Sequence, residues 1–420
     1  MTRGPTMRDD VREIKFEDMS RELRALIAYE PNGSLNVEVP QALIDEVRRT
    51  SPVVRWEMGV GFFGMDDVVA AARNPHLVST DPSTGEAFGM GTAEPLIPLH
   101  LDGDIHRHYR KLLDPLFTPK KMALLEPQIR ELADQLIDGF IGDGIAELHS
   151  ALCVPLPSTI FLTLFGMPLE DAEYLNAKKN RILKNEGTSM IEMEQIGRAA
   201  GVELDAHLRS RLAERRAETT RSDDLLDSFM YFQVDGHGLK DDEIVNLMHM
   251  FTIAGLDTVT SSLSCILAWL AKHPVERRHL VAHPEELGRA IEEIMRFESP
   301  VPSGGGRWAA QDTDINGVAV KKGEMIYLCW ASANLDPAKF DRPFDTALSR
   351  ENNAHIAFAA GFHRCLGTHL ARAELRVAVD QLHRRIPDYW ITEGDEVEYE
   401  FAGVRQAKRV PVTFNAALDQ

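Results

Sequence analysis

The sequence predicts a mainly α-helical chain with small β-sheets, an α+β protein. Apolar residues recur at helical spacing through most of its 420 residues, as in MDDVVAAARN and HRHYRKLLDPLF. Strand-like runs are short and form two groups, PVVRWEMGVGFFG near the N-terminus and RWAAQDTDINGVAVKKGEMIYLCW around residues 307–330. No repeat or Ser/Gly-rich linker divides the sequence. We therefore predict an N-terminal tail, residues 1–36, and one domain, residues 37–420.

Local signals support the individual elements in order. The segment TPKKMALLEPQIRELADQLIDGFI starts a helix with Thr118 as N-cap and Pro119 at the first helical position. Asn316-Gly317 is a hairpin turn signal between two strand-like runs. Further helices are predicted near residues 155–166, 169–183, 190–217, 223–232, 241–272, 275–281, 284–297 and 366–385.

Composition excludes several classes of protein. A hydrophobic content of 44% and a charged content of 26% are ordinary for a globular domain, and a net charge of -19 argues against a nucleic-acid partner. The longest uncharged run, residues 258–271, is shorter than the ~20 apolar residues of a membrane span. The N-terminal residues have no apolar core of a secretory signal. We expect a cytoplasmic protein.

The four cysteines are widely separated, and no pair has the C-x-x-C spacing of a zinc or iron–sulfur site. Cys153, Cys265 and Cys329 lie in apolar runs, where a thiol is usually an inert small hydrophobe. Cys365 alone has a polar, glycine-flanked setting.

Cys365 directly precedes the helical segment 366–385, so it lies at a helix N-terminus, where free N–H groups and the helix dipole favour a thiolate. Gly361 can form a tight turn with positive φ, and Gly367 lets a flat ligand approach the backbone. Phe358 could shield one side of the sulfur. Haem iron is the candidate metal because it needs only one protein ligand. A buried structural cysteine is the alternative.

The run FAAGFHRCLG, residues 358–367, resembles the haem-ligand loop of the cytochrome P-450 family, whose pattern is F-x-x-G-x-H-x-C-x-G. With three further motifs in the same order, the resemblance covers roughly residues 40–415. It implies that haem b lies between a long oxygen-groove helix and the Cys-ligand helix. It also implies that Cys365 is the metal ligand and that Phe358, His363 and Gly367 contact the cofactor. Most relatives have a glycine at the position of Ala359. The alanine in this chain affects the expected geometry of the turn but not the identity of the ligand.

A second motif is FTIAGLDTVTSSL, residues 251–263, within a long buried helix. The Thr258 hydroxyl can bond back to the carbonyl of Ala254, four residues earlier. A purely structural interpretation of Gly255 is that it is a packing glycine where two helices touch. The run resembles the family's A-G-x-D-T, which implies that Ala254 and Gly255 border the cofactor. Asp257 and Thr258 are then the catalytic acid–alcohol pair that supplies protons during oxygen activation.

Glu293 and Arg296 form the third motif, with i, i+3 spacing on one helix face. A surface ion pair would have this spacing too. The family's E-x-x-R is instead a buried structural pair, completed by a third residue that is usually an arginine from a later loop. Arg342 in KFDRPFD is the nearest candidate for that third residue.

Scattered cations form the fourth group. Haem has two propionates, and an acidic protein must offer local donors to them. His106 and Arg110 match the family's H-x-x-x-R, Arg307 matches its strand arginine, and His363 precedes the ligand by two residues. Each alone is typical of a surface residue, and together they predict a propionate clamp.

The resemblance implies a haem-thiolate monooxygenase that inserts one oxygen atom from dioxygen into a substrate. No segment resembles a flavin or nicotinamide site, so electrons are expected from a separate ferredoxin and its reductase. A basic patch on the cysteine side fits an acidic donor; its predicted members are Arg107, Lys111, Arg364, Arg372 and Arg376. A peroxide-driven enzyme, a haem-binding sensor and a protein with a structural cysteine remain as alternatives.

The substrate pocket is expected to be apolar, so a hydrophobic small molecule such as a terpenoid, fatty acid or steroid is predicted. Its expected walls are residues 81–101, 177–196, 301–307 and 401–404 and the oxygen-groove helix. The missing side chains of Gly304, Gly305 and Gly306 predict extra volume there; a backbone bulge is the alternative.

Overall fold

The computed structural model describes residues 8, 10–27, 38, 40–87, 89–184, 187–234, 237–304, 306–401 and 403–415. Its helices in these ranges are α1 (Arg21–Leu26), α2 (Gln41–Thr50), α3 (Met65–Ala72), α4 (Gly103–Leu113), α5 (Pro119–Ala123), α6 (Glu126–Asp138), α7 (Pro155–Phe165), α8 (Asp171–Leu183), α9 (Met190–Ala217), α10 (Leu225–Tyr231), α11 (Asp241–Lys272), α12 (Pro274–Ala282), α13 (Leu287–Glu298), α14 (Trp330–Ala333) and α15 (Thr368–Arg385).

The strands are short, as the sequence predicts. They are β1 (Val11–Glu13), β2 (Val53–Trp56), β3 (Gly59–Phe62), β4 (Leu77–Val78), β5 (Ile145–Glu147), β6 (Gln233–Val234), β7 (His237–Gly238), β8 (Gly306–Ala309), β9 (Thr313–Ile315), β10 (Val318–Val320), β11 (Met325–Leu328), β12 (Tyr389–Ile391), β13 (Glu398–Phe401), β14 (Arg405–Arg409) and β15 (Pro411–Phe414). The largest sheet has the order β1-β2-β3-β11-β8-β4, and a smaller one has the order β12-β15-β5. The predicted α+β class is confirmed.

Helix α11 runs through the centre of the protein. It is apolar on nearly all sides, the pattern of a helix that other helices surround. Leu263 and Leu267 are fully buried and share an apolar cluster with Val377 and Val379 of α15. Among the described helices, α11 alone is long and apolar enough to cross a membrane, yet 83% of its most apolar stretch is buried inside the protein. Burial inside the protein therefore explains why α11 is so apolar.

Most predicted helices are present, but the segment after Thr118 differs. Thr118 does cap α5, since its side chain accepts a hydrogen bond from the Lys121 amide. The predicted single helix is divided into α5 and α6, and Pro127 lies in the first turn of α6. Proline is favoured at such a start because it has no N–H to leave unsatisfied.

The predicted hairpin turn is confirmed, since Asn316 and Gly317 both have positive φ, 49° and 88°, between the paired strands β9 and β10.

Part of the predicted tail packs on the domain. β1 pairs with β2, and Leu26 and Ile27 are buried in an apolar cluster. The boundary between residues 36 and 37 stays a prediction.

Candidate active site

The loop before Cys365 requires glycine at one position. Gly361 has a φ of 72°, and a β-carbon there would lie 2.0 Å from the carbonyl oxygen of Ala72 in α3. Ala359 has a φ of 60°, a left-handed conformation that costs a non-glycine residue roughly 1–2 kcal/mol. The Cys365 amide donates to the carbonyl of Phe358 at 3.0 Å. The turn therefore forms without the usual glycine, with alanine bearing the strain.

Cys365 differs from the other three cysteines because it is exposed, whereas they are buried. Open space also lies beside Gly367, where a β-carbon would meet no atom within 4 Å. Phe358 is partly buried and has the Arg372 guanidinium 4.7 Å above its ring. Cys365 and the backbone at Gly367 are therefore both accessible.

The expected thiolate at the helix N-terminus needs a correction. Although one side of the sulfur faces open space, the surrounding protein removes much of its water, and this burial raises the pKa of the Cys365 thiol. Hydrogen bonds from Thr368 and the Gly367 amide lower the pKa, but by less. A coordinated metal deprotonates a thiol outright. The thiolate is therefore a property of the metal-bound form.

Across from α15, the middle of α11 borders open space. Ala254 is exposed and Gly255 is half-buried, although their neighbours Ile253 and Leu256 are buried. The Thr258 hydroxyl donates to the Ala254 carbonyl at 2.8 Å, which confirms the predicted bond. This face of α11 is therefore not covered by packed side chains, although the helix is buried on both sides of it.

Asp257 has a partner that the sequence did not reveal. Lys179 of α8 places its Nζ 2.7 Å from Asp257 Oδ1, and both side chains are only 5% exposed. An ion pair removed from water holds its groups firmly, because breaking it leaves a buried unpaired charge. Asp257 is therefore fixed by α8 rather than free.

The predicted propionate donors come together beside the Cys365 loop. The rings of His106 and His363 are 4.4 Å apart, and His363 Nε2 lies 2.9 Å from Asp102 Oδ1. His106 Nε2 is buried and has no hydrogen-bond partner among the described residues. Burial and the nearby His363 and Arg110 charges lower the pKa of His106 to about 4. Burial also lowers the pKa of Arg307.

His100 joins this cluster, and no motif identified it. Burial, with Arg307 and His363 nearby, lowers its pKa to about 4, and its Nδ1 accepts from the Leu96 amide. Arg110 donates to the carbonyl of Arg364 at 2.9 Å and to Asp114 at 2.8 Å, which ties α4 to the Cys365 loop.

These residues fit haem. The cluster of His100, His106, Arg307 and His363 contains the carboxylate of Asp102, and His106 Nε2 is buried with no hydrogen-bond partner among the described residues, so the cluster has donors to spare. Two propionates would accept those hydrogen bonds and pair with the Arg307 guanidinium, and Cys365 would supply the sulfur ligand.

The buried brace is present, but its third member is not Arg342. Glu293 and Arg296 pair at 2.8 and 2.9 Å, and both are fully buried. Arg350 Nε lies 3.0 Å from both oxygens of Glu293. Arg342 is 71% exposed and pairs with Asp345. Arg350 is therefore the third member of the brace.

The predicted extra volume at the glycine run is partly wrong. A β-carbon on Gly304 would lie 2.2 Å from the Trp330 ring, so that indole fills the space. A β-carbon on Gly306 would be 3.3 Å from Met325 Sδ. Gly305 lies outside the described residues. Gly304 is required for packing against Trp330 and does not widen the cavity.

The predicted basic patch is mostly neutralised. Arg372 forms two bonds with Glu292, at 2.7 and 2.5 Å, and Arg376 pairs with Glu126. Arg107 pairs with Asp104. Arg364 and Lys111 are exposed, with no ion-pair partner within the described ranges.

Comparisons with known proteins agree with this geometry. The family model described as cytochrome P450 matches residues 92–281 and 285–385. The chain is 30% identical over 441 aligned residues to the methyl-branched lipid omega-hydroxylase of Mycobacterium tuberculosis, covering 94% of this chain and all of that protein. It is 32% identical to the vitamin D(3) 25-hydroxylase of Pseudonocardia autotrophica, covering 80% and 81% of the two chains.

A solved structure has the same fold. P450BioI, in complex with an acyl carrier protein ligated to hexadec-9Z-enoic acid, superimposes with a TM-score of 0.81 at 26% identity, covering 90% of this chain and 98% of that chain. The chain therefore belongs to the cytochrome P450 family, with haem b as its cofactor and a monooxygenase type of oxidoreductase activity.

Proposed function

We propose that this enzyme hydroxylates a hydrophobic small molecule of lipid, terpenoid or steroid type, in the cytoplasm, with electrons from an acidic ferredoxin-type donor and its reductase. One observation carries the proposal. The Asp257–Thr258 pair lies beside the exposed Ala254 on α11, and α11 packs against α15, which begins just after Cys365. This placement supports assigning proton delivery to the Asp257–Thr258 pair and haem ligation to Cys365.

The roles of the chain's residues follow from their positions. Haem, when bound through Cys365, supplies the electron-rich iron that activates dioxygen. The His106–His363 cluster and Arg307 hold the propionates by charge and hydrogen bonds. Thr258 presents its hydroxyl to the cavity, and Asp257 holds a proton next to it. Lys179 fixes the Asp257 carboxylate through the buried ion pair. Apolar residues exclude bulk water from the remaining walls.

The apolar walls support a hydrophobic substrate. Leu96 and Ile97 of the 81–101 segment are buried in the same apolar cluster as Phe251 and Leu256 of α11, and Ile182 of α8 joins them. Such walls favour binding through burial of apolar surface, which is worth about 25 cal/mol per Å². The relatives named above act on a methyl-branched lipid and on vitamin D(3), which is consistent with this class.

Thr258→Ala is expected to divert the reaction to hydrogen peroxide. The variant should fold and bind haem and substrate, because it removes one hydroxyl from a long helix. Reduced cofactor should still be consumed, but without the Thr258 hydroxyl protons would be poorly directed, so more of the dioxygen consumed should appear as hydrogen peroxide. The measurement is product and peroxide formed per cofactor oxidised.

Thr258→Ser is the matched control, since it keeps a hydroxyl that can bond to the Ala254 carbonyl. It should restore most of the product yield. If the product yield of Thr258→Ala were unchanged, Thr258 would have a role in helix packing only. Full activity of the wild-type protein with hydrogen peroxide as the sole oxidant would favour a peroxide-driven enzyme.

Arg364→Glu is expected to slow reduction by an acidic ferredoxin strongly at low salt, with little effect on substrate affinity. Arg364 is exposed beside the ligand cysteine and has no ion-pair partner in the part of the chain that the structure describes, whereas the charge of Arg372 is largely cancelled by Glu292. Exposed charges steer association, and salt screens them over about 10 Å at 0.1 M. Stopped-flow reduction rates against ionic strength measure the effect.

The control is Arg209→Glu, which makes the same charge change on α9, a helix that packs against α8 and α11. It should leave the reduction rate unchanged. If both variants slowed reduction equally, the effect would come from the net charge of the protein. The docking face would then lie elsewhere.

A further inference from the structure

Arg372 of α15 contacts the loop that carries the sulfur ligand. Its guanidinium lies 4.7 Å from the centre of the Phe358 ring, within the range of a cation–π contact. The carbonyl of Phe358 in turn accepts a hydrogen bond from the Cys365 amide at 3.0 Å. Arg372 therefore packs on the residue that is expected to shield the sulfur, and one aromatic residue links it to the ligand cysteine.

Glu292 of α13 holds this arginine in place. Its carboxylate accepts from Arg372 Nε at 2.7 Å and from Nη2 at 2.5 Å, a bidentate pair that fixes the plane of the guanidinium. Nε2 of His355, in the same loop as Phe358, lies 3.0 Å from this carboxylate. Burial alone would raise the pKa of Glu292, but the hydrogen bonds from Arg372 and His355 outweigh burial and hold that pKa at about 2. Glu292 is therefore a carboxylate at any pH near neutrality.

The charge of Arg372 also reaches the sulfur. Burial has the largest effect on the Cys365 thiol and raises its pKa, whereas the charges of Arg110 and Arg372 lower it. Both cations thus stabilise negative charge on this sulfur. Arg110 is also bonded to Asp114 and to the Arg364 carbonyl, so its replacement would disturb α4 as well. Arg372 is the cation whose effect on the sulfur can be tested separately.

The Arg372–Glu292 pair lines a groove between α5, α13 and α15. The groove has a volume of about 280 Å³, and Met122 and Ile291 form part of its lining. The side chains of Arg372 and Glu292 are 35% and 25% exposed, so neither belongs to the core. A leucine at position 372 would extend the apolar lining, and Glu292 would keep His355 and solvent as partners. The cation can therefore be removed without leaving a fully buried unpaired charge.

We propose that Arg372 is a positioning residue that makes the haem easier to reduce, because it packs on Phe358 and places a positive charge near the sulfur ligand. Reduction adds one electron to the haem and breaks no bond, so the negative charge near Arg372 increases by one unit. A nearby cation stabilises the form with more negative charge. Glu292 partly offsets this effect and fixes the position from which Arg372 acts. The proposal rests on the proposed function in one respect, that Cys365 binds the haem iron.

The reduction potential of the full-length, haem-loaded protein tests this role. In Arg372→Leu the ratio of reduced to oxidised protein at a fixed applied potential should fall about threefold to tenfold, because one partly offset charge is removed from a site with an effective dielectric constant of about 20. A tenfold fall is a shift of about 59 mV for one electron. Arg372→Lys keeps the charge and should recover most of the fall. A wild-type ratio in Arg372→Leu would overturn the proposal.

Glu292→Gln distinguishes an effect of charge from an effect of a loosened loop. The amide keeps an oxygen that can accept from Arg372 but removes the negative charge, so the ratio of reduced to oxidised protein should rise. If both replacements only loosened the loop, the ratio would move in the same direction in Glu292→Gln and Arg372→Leu. A fall in Glu292→Gln would therefore contradict the electrostatic role, even if Arg372→Leu proved unstable.

Arg376→Leu is the matched control, because Arg376 lies one turn farther along α15 and pairs with Glu126 of α6. It makes the same change of charge and should leave the ratio close to the wild-type value. An equal fall in Arg376→Leu and Arg372→Leu would attribute the effect to net charge and overturn the proposal.

The absorption spectrum of the reduced, carbon monoxide-treated protein separates this proposal from the proposed function. Absence of the red-shifted band of a thiolate ligand in the wild-type protein would refute the proposed function. An intact band in the wild-type protein and in Arg372→Leu, with equal ratios of reduced to oxidised protein, would refute the role of Arg372 alone.

Discussion

Cys365→Ala is expected to abolish the spectrum of thiolate-ligated haem completely. In the wild-type protein, reduction and treatment with carbon monoxide should give the red-shifted band typical of a thiolate ligand. No described cysteine can substitute, because Cys153, Cys265 and Cys329 are buried and burial raises the pKa of each thiol. The absorption spectrum of the reduced, carbon monoxide-treated variant is the measurement.

Cys329→Ala is the matched control. It makes the same chemical change in a thiol that is 4% exposed at the start of α14, so it should keep the band at some cost in stability. If Cys365→Ala kept the red-shifted band, the ligand assignment would be wrong, and with it the proposed function.

Asp257→Asn is expected to slow product formation by a factor of about 10² to 10⁴, the usual value of a positioned acid–base group. The ion pair with Lys179 complicates the single variant, because it leaves a buried ammonium group without its carboxylate. Breaking a buried pair in this way costs about 3–5 kcal/mol of stability. Slow turnover could then reflect partial unfolding.

The double variant Asp257→Asn/Lys179→Met removes this difficulty, because no unpaired charge remains. It should fold and bind haem, with turnover as slow as in the single variant. Lys179→Met alone leaves a buried carboxylate without its cation, so it should lose about the same 3–5 kcal/mol of stability as Asp257→Asn, and the double variant should recover most of that loss. Turnover near the wild-type rate in the double variant would remove Asp257 from proton delivery.

Much of the site could be predicted from the sequence because its chemistry is encoded over short distances. The turn around Gly361, the sulfur of Cys365 and the helix after it lie within one short segment. The Thr258–Ala254 bond is likewise a local consequence of helix spacing. Side-chain identities at such spacings determine geometry almost without regard to the rest of the fold.

The partners of these residues could not be predicted in the same way. Arg350 reaches Glu293 across 57 positions, and Lys179 reaches Asp257 across 78. Lys178 and Lys179 are adjacent and chemically identical, yet one pairs with Glu203 at the surface and the other lies buried against α11. The rotation of α8 against its neighbours decides which lysine faces inward.

The sequence by itself thus determined the family, the cofactor ligand and the helical α+β class, because residue types at fixed short spacings suffice for these. Only the tertiary structure decided that Trp330 fills the space beside Gly304, that His100 joins the propionate cluster and that Glu292 pairs with Arg372. Each of these contacts joins segments that are distant in the chain. Their physical origin is the packing of whole helices and loops, which no local pattern specifies.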